Sequence, residues 1–328
     1  MKTYIKIISI TLAPSIGLST ILIDEDFNGS TTPAGWVAHT YTGGSHTDPG
    51  SPQGDAFRYP NAGTDGYLQL TQDSAFQRTT MIYTGNTLNT KNSFSFTADI
   101  QITGAPAGAD GLSFFWVSKK SIDQIIATDA SVNSIEDISG GISEWQGAPH
   151  GIDPTKSVGY YQGIEGYSFE FDHYQNTVER SSEYNHLVRI SDWDHGGSVA
   201  AADRQFDDNF YYNDGWTRVH FDFDTATSTF SYYLESLNPA IAPELKFTTE
   251  TTFTIDQLDA VTGETGWYEG FDEAYFGIGA ATGFTTAQHL ADNLVVAYPE
   301  NFSAVPEPTN EILMGFLMIA ALSIHSRQ

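Results

Sequence analysis

The chain has 328 residues, of which 40% are hydrophobic and 13% aromatic, enough apolar material for one large core. Its 41 acidic and 14 basic side chains leave a formal net charge of −27, which repels nucleic-acid phosphates and anionic lipid and sets both aside as partners. With no cysteine there are no disulfides, thiolate metal sites or cysteine nucleophiles, so packing, helped by any bound ion, must hold the fold.

At the N-terminus, Lys2 and Lys6 precede an apolar run from Ile7 to about Ile23, interrupted by Pro14. This is the layout of a secretory signal peptide, and it predicts residues 1–23 as an export segment. From 24 to 299 almost nothing reads as helix. GYLQLTQ (66–72), SFSFTADIQI (93–102), GLSFFWVS (111–118), YSFEFD (167–172), HLVRIS (186–191), TRVHFDFD (217–224) and TFSYYLES (229–236) alternate β-branched or aromatic residues with polar ones. Each is bounded by Gly, Asn, Asp or Pro, which predicts one all-β domain, a large antiparallel β-sandwich. SKKSIDQIIATDA (118–130) predicts a short helix or decorated loop within it. Tight turns are predicted at Asn213-Asp214-Gly215 and at Asp224-Thr225-Ala226-Thr227. The Gly- and Pro-rich stretch from about Ile135 to Ser157 is the longest break, and a loop of that length belongs at a rim of the sandwich.

The tail, residues 300–328, joins Val305-Pro306-Glu307-Pro308 to an apolar run from Ile312 to Leu322 and ends near His325 and Arg327. The run is shorter than the ~20 residues of a permanent membrane span. This tail resembles the PEP-CTERM sorting signal of Gram-negative bacteria. The resemblance implies export, processing by an exosortase-type enzyme, and a location at the cell envelope or in the extracellular matrix.

The chemistry concentrates in FEFDHYQN (169–176). Residues two apart on a strand share a face, so Glu170 and Asp172 project together while Phe169 and Phe171 face the other way. A turn after Asp172 that folds Asn176 and the Tyr174 carbonyl back makes an oxygen cage suited to a hard divalent cation, and a nearby imidazole suits a transition metal. The residues alone leave a second reading open, an edge strand with solvated acids.

The spacing Glu170, Asp172, Asn176, His186 resembles the metal loop of the legume-type (L-type) lectins, E-F-D-T-x-x-N followed by H-I-G-I. By that resemblance Glu170, Asp172 and His186 bind Mn2+ or another transition metal, and Asp172, the Tyr174 carbonyl and Asn176 bind Ca2+. Ser181 stands where the family has a further aspartate, with Glu179 and Glu183 nearby. Upstream, Ala109-Asp110-Gly111-Leu112-Ser113-Phe114-Phe115 is similar to the family's A-D-G-x-A-F-F. That similarity implies that Asp110 and Gly111 bind sugar together with the Asn176 amide and the Tyr174 ring. SVGYYQGIEGYSFEFD, DGWTRVHFDFDTATSTFSYYL and YFGIGAATGFTTAQHLADNLVV resemble further family segments in family order, so the likeness runs from about Phe27 to Tyr298. In the last segment Gly283 and Phe284 fall in the loop that tunes sugar preference, and His289 is read as structural.

What the family likeness implies is a concanavalin-like jelly roll that binds glycans or polysaccharide without catalysis, with a homodimer left open. Two other readings remain. A sandwich glycosidase needs E-x-D-x-x-E, with carboxyl groups about 5–10 Å apart, but Gln175 stands at the second glutamate. No H-E-x-x-H, G-x-S-x-G or phosphate-cradling loop occurs. The third reading is a structural matrix module that binds no sugar. Asp192, Asp194, His195, Asp203, Asp207 and Asp208 are irregularly spaced and read as a solvated acidic loop.

Overall fold

A computed structural model describes residues 20–42, 51–52, 66–74, 77–104, 111–128, 134–135, 164–172, 187–192, 199–205, 215–241, 250–257, 268–282 and 286–299. Ile21–Tyr298 forms one compact unit, and Met1–Thr20 with Pro299–Gln328 forms another that lies almost wholly outside the described residues. In chain order the elements are β1 (Thr20–Glu25), β2 (Trp36–Thr42), β3 (Ser51–Pro52), β4 (Leu68–Thr71), β5 (Arg78–Leu88), β6 (Phe94–Gly104) and β7 (Gly111–Ser118). Helix α1 (Lys119–Thr128) follows, then β8 (Gly166–Asp172), β9 (Leu187–Asp192), β10 (Val199–Gln205), β11 (Thr217–Asp224), β12 (Thr229–Ser236), β13 (Thr251–Thr254), β14 (Ala274–Ala281) and β15 (Ala287–Tyr298).

The strands make two sheets. One has seven strands in the order β1-β15-β6-β11-β12-β13, with β4 also on β15; the other has eight, ordered β10-β9-β8-β7-β14-β5-β2-β3. The alternation read from the sequence is obeyed strictly in β11 and β12, where every second residue is buried. These strands bury one face against the opposite sheet and leave the other half-exposed. The space between the sheets is filled by aromatic rings. Phe96 stacks on Phe221 with centroids 4.7 Å apart, Phe169 lies 5.1 Å from Phe221, and Phe94 meets Trp116 edge-on at 5.4 Å. Offset and edge contacts of this kind add about 0.5–1.5 kcal/mol per pair beyond area burial.

Strand β7 departs from the one-faced pattern, being buried at every position. Its outer face carries Phe115 and Val117, which pack with Ile82, Ile122, Ile125 and Ile164 in a second cluster beneath α1. The helix starts there because Ser118 caps it, its Oγ accepting from the Ser121 amide at 3.3 Å. The Ser121 hydroxyl donates back to the Ser118 carbonyl at 2.9 Å and accepts from the Glu165 amide at 3.2 Å, tying the helix to the start of β8.

The predicted turn at Asp224 forms as read, with Asp224 Oδ1 accepting from the Ala226 amide at 2.9 Å and Oδ2 from the Thr227 hydroxyl at 2.8 Å. At the other predicted turn Gly215 has φ of +95°, while Asn213 and Asp214 lie outside the described residues. The N-terminal boundary differs from the sequence reading. Thr20 to Ile23, assigned to the export segment, belong to β1, and Ile23 is 3% exposed in the main core. The apolar run is therefore shared, since its last residues have the alternation of a strand with a core to fill. The 135–157 stretch lies outside the described residues apart from Ile135.

Candidate binding rim

The register of four neighbouring strands brings the motif segments to one end of the eight-stranded sheet. Gly111 at the start of β7 pairs with Asp172 at the end of β8, and Asp172 pairs with Leu187 at the start of β9. On its other side Gly111 pairs with Ala281, the last residue of β14, which in turn pairs with Arg78. Asp110, Tyr174, Asn176, His186, Gly283 and Phe284 lie outside the described residues. The described residues next to their segments are Gly111, Asp172, Leu187 and Thr282, and the first three share one row across three strands.

The seven-stranded sheet reaches the same rim. Gly104, the last residue of β6, pairs with Ala287, the first of β15. A Cβ on Gly104 would lie 2.6 Å from the Thr286 carbonyl oxygen and 3.0 Å from Ala287 Cα, so only glycine lets these strands approach here. The segments 105–110 and 283–285 each join one sheet to the other across this end.

Anchors the sequence reading did not single out hold the β14 side of the rim. Thr282 is 2% exposed; its amide donates to the Gln77 carbonyl at 2.8 Å, and its hydroxyl accepts from the Gln77 amide at 2.9 Å and donates to the Ser74 carbonyl at 2.7 Å. Thr286 donates to Asp73 on the far side of the segment. The signal for these contacts is weak in the sequence, because Ser74 and Gln77 lie more than 200 positions from their partners.

Of the proposed metal ligands, Glu170 is described in full. Phe169 and Phe171 on either side are 0% exposed between the sheets, so Glu170 stands on the outer face. It too is 0% exposed, and the Ser168 hydroxyl donates to its Oε1 at 2.5 Å. Ser113 is its partner on β7 and Arg189 its partner on β9. A carboxylate fully withdrawn from water needs hydrogen bonds and a counter-charge, since an isolated buried charge is among the costliest features a fold can contain. Asp172 closes β8 two residues on.

His289 lies on β15, two residues from its rim end. It is 0% exposed, with Nδ1 2.6 Å from the Thr71 hydroxyl, and burial pushes its pKa down to about 3. The Thr71 hydroxyl donates to the Ala287 carbonyl at 2.9 Å, so the His289 pair fastens β15 to β4 just behind the rim.

Among solved structures the chain is similar to a lectin from Bauhinia forficata in complex with GalNAc, with a TM-score of 0.51 at 12% identity over 86% of this chain and 97% of that one. The fold is that of the legume-type lectins. Winged bean acidic lectin complexed with methyl-α-D-galactose shares this lectin fold at a TM-score of 0.50 and 16% identity, covering 84% of this chain and 97% of that one. The Ca2+/Man2-bound exoplasmic/lumenal domain of VIP36 does so at 0.50 and 12% identity, over 89% and 91% of the two chains. No protein-family model matches the sequence, and no curated protein matches it either.

Proposed function

We propose that the chain is an exported, non-catalytic, calcium-dependent carbohydrate-binding protein that acts at the cell envelope or in an extracellular polysaccharide matrix. The observation that carries this reading is the rim register. Gly111, Asp172 and Leu187 occupy one row, so the A-D-G and E-F-D motif segments, distant in sequence, meet at one place. The sugars in the neighbouring lectin structures support the substrate class.

In this reading Asp172, the Tyr174 carbonyl and Asn176 hold calcium, an oxygen set matching that ion's preference. When bound, calcium supplies a fixed positive centre that orders the surrounding polar groups. Asp110 accepts hydrogen bonds from sugar hydroxyls, the Asn176 amide donates one, and the Tyr174 ring stacks on the pyranose face. Gly111 leaves the approach open at the base of the site, and Gly283 and Phe284 shape its flank. The sorting tail is processed by an exosortase-type enzyme, and export cleavage falls before Thr20, which leaves β1 whole.

A glycan array run with and without a chelator tests the core of this proposal. Binding lost on chelation and restored by calcium is the expected result, and binding unaffected by chelation overturns the calcium mechanism. Asp110→Ala is expected to abolish binding with the melting temperature nearly unchanged.

A further inference from the structure

We propose that the outer face of the seven-stranded sheet carries a second carbohydrate site, a shelf formed by Tyr67 and Trp216 that takes an uncharged polysaccharide without calcium. Leu68 and Val219 face the main core, so alternation turns Tyr67, one residue before Leu68, and Trp216, three before Val219, to the outer face. Both rings are half-buried, and neither belongs to a core cluster. Between β4 and β11 lie β15 and β6: Leu290 pairs with Gln69 on one side and Gln101 on the other, and Ile100 pairs with Thr217. Three strand spacings set the two backbones about 14 Å apart. The rings nevertheless touch, with centroids 5.7 Å apart and planes crossed at 67°. They therefore lean toward each other across β15 and β6. Leu290 fits this arrangement: Ala291 beside it faces the main core, so Leu290 lies on the outer face, outside both clusters, yet is only 4% exposed.

Fixed polar groups border the shelf. Asp99, 4% exposed, accepts from Arg218 Nε at 2.7 Å, from Arg218 Nη2 at 2.9 Å and from Asn293 Nδ2 at 2.9 Å. These bonds neutralise the guanidinium and hold it in one orientation while its side chain stays 38% exposed. Two of the five N–H donors of the group are used in this way. Half-buried Gln101 and Thr103 carry the polar border toward the rim, where the Thr103 hydroxyl donates to Gln288 Oε1 at 3.4 Å. Ring faces suit the C–H side of a pyranose, and amide and guanidinium donors suit its hydroxyls. Arg218 and Asp99 cancel in charge, and the net charge of −27 repels an acidic chain, so the ligand is an uncharged one. A protein partner fits less well, because a stable interface buries about 800 Å2 per side around an apolar centre. Here two rings are bordered by Asp99, Gln101, Thr103 and Arg218. The shelf stands on β4 and β11, apart from the motif segments of the rim, and does not rest on the calcium reading of that rim.

Affinity electrophoresis provides the test. The whole chain is run in native gels cast with dextran, galactomannan or xyloglucan, each with excess chelator to silence calcium-dependent binding at the rim. At least one gel is expected to retard the chain, and Trp216→Ala and Tyr67→Ala are each expected to raise the dissociation constant roughly tenfold. No retardation in any gel, or retardation that both variants keep, overturns the proposal. Should the variants fail to fold, hydrogen exchange on the unaltered chain decides. Adding the retarding polysaccharide in chelator is expected to slow exchange over 66–72 and 215–219, and unchanged exchange there overturns the proposal. Sedimentation velocity separates the other occupant: self-association abolished by Trp216→Ala with retardation unchanged makes the shelf a protein interface and also overturns it. Retardation at the shelf with no calcium-dependent glycan binding disproves the rim reading alone.

Discussion

His289 and Asp222 show how burial makes single residues pH-dependent in opposite senses. Burial lowers the His289 pKa to about 3, from an ordinary value of 6.5. Between those values the unfolded chain binds a proton that the folded chain refuses, so stability is lost as pH falls through this window. Wild type is expected to exceed His289→Gln in stability at neutral pH, with the gap narrowing in urea melts taken from pH 6.5 down to pH 4. Asp222, half-buried on the outer face of the seven-stranded sheet, has its pKa raised from 3.8 to about 6, first by burial and then by the Glu250 charge. Here the unfolded chain releases its proton first, so stability falls as pH rises from 3.8 to 6. Asp222→Asn is expected to gain about 1–2 kcal/mol at pH 7 after allowance for solvent screening, and to gain nothing below pH 4. The two variants shift the acid limb of the stability profile in opposite directions, which a single series of chemical melts resolves.

At the scale of elements, β1 carries the clearest consequence. Leu22 packs against the core and Ile23 lies within it, so a chain beginning at Asp24 loses both. It is expected to be about 2–4 kcal/mol less stable than one beginning at Thr20, read as a lower urea midpoint at unchanged slope. The elements most legible in the sequence are those whose apolar run is cut sharply at both ends. GLSFFWVS, TRVHFDFD and TFSYYLES coincide with β7, β11 and β12 because β-branched and aromatic residues end at turn formers on both sides. Strand β14 was not in that set. AYFGIGAA is poor in strand formers, and its glycines read as breaks, yet a Cβ on Gly277 would lie 2.2 Å from the Phe115 ring. That glycine marks a close approach by a neighbouring strand, and nothing local distinguishes this from a turn. The candidate site divides in the same way. The outward placement of Glu170 follows from the phenylalanines beside it. Its pairing with Arg189 depends on a register between strands separated by the segment 173–186, which no local pattern encodes.

Over the whole molecule the net charge of −27 opposes the compact state through self-repulsion. Raising NaCl from about 10 mM to about 150 mM shortens the Debye length from ~30 Å to ~8 Å, so the melting temperature is expected to rise over that interval in calcium-free buffer. A flat or falling profile would mean that local ion pairs, such as Arg218 with Asp99 at 2.7 Å, outweigh the collective repulsion. The direction of β15 adds a polarity to the sandwich. This strand starts at the rim, where Ala287 pairs with Gly104, and runs 12 residues to Tyr298, whose hydroxyl accepts from the Asn89 amide at the opposite pole. At roughly 3.3 Å per residue it acts as a spacer of about 40 Å. An attachment made at Tyr298 itself would therefore stand a full strand's length from the end that carries Gly104 and Ala287, as a handle stands from the working edge of a tool.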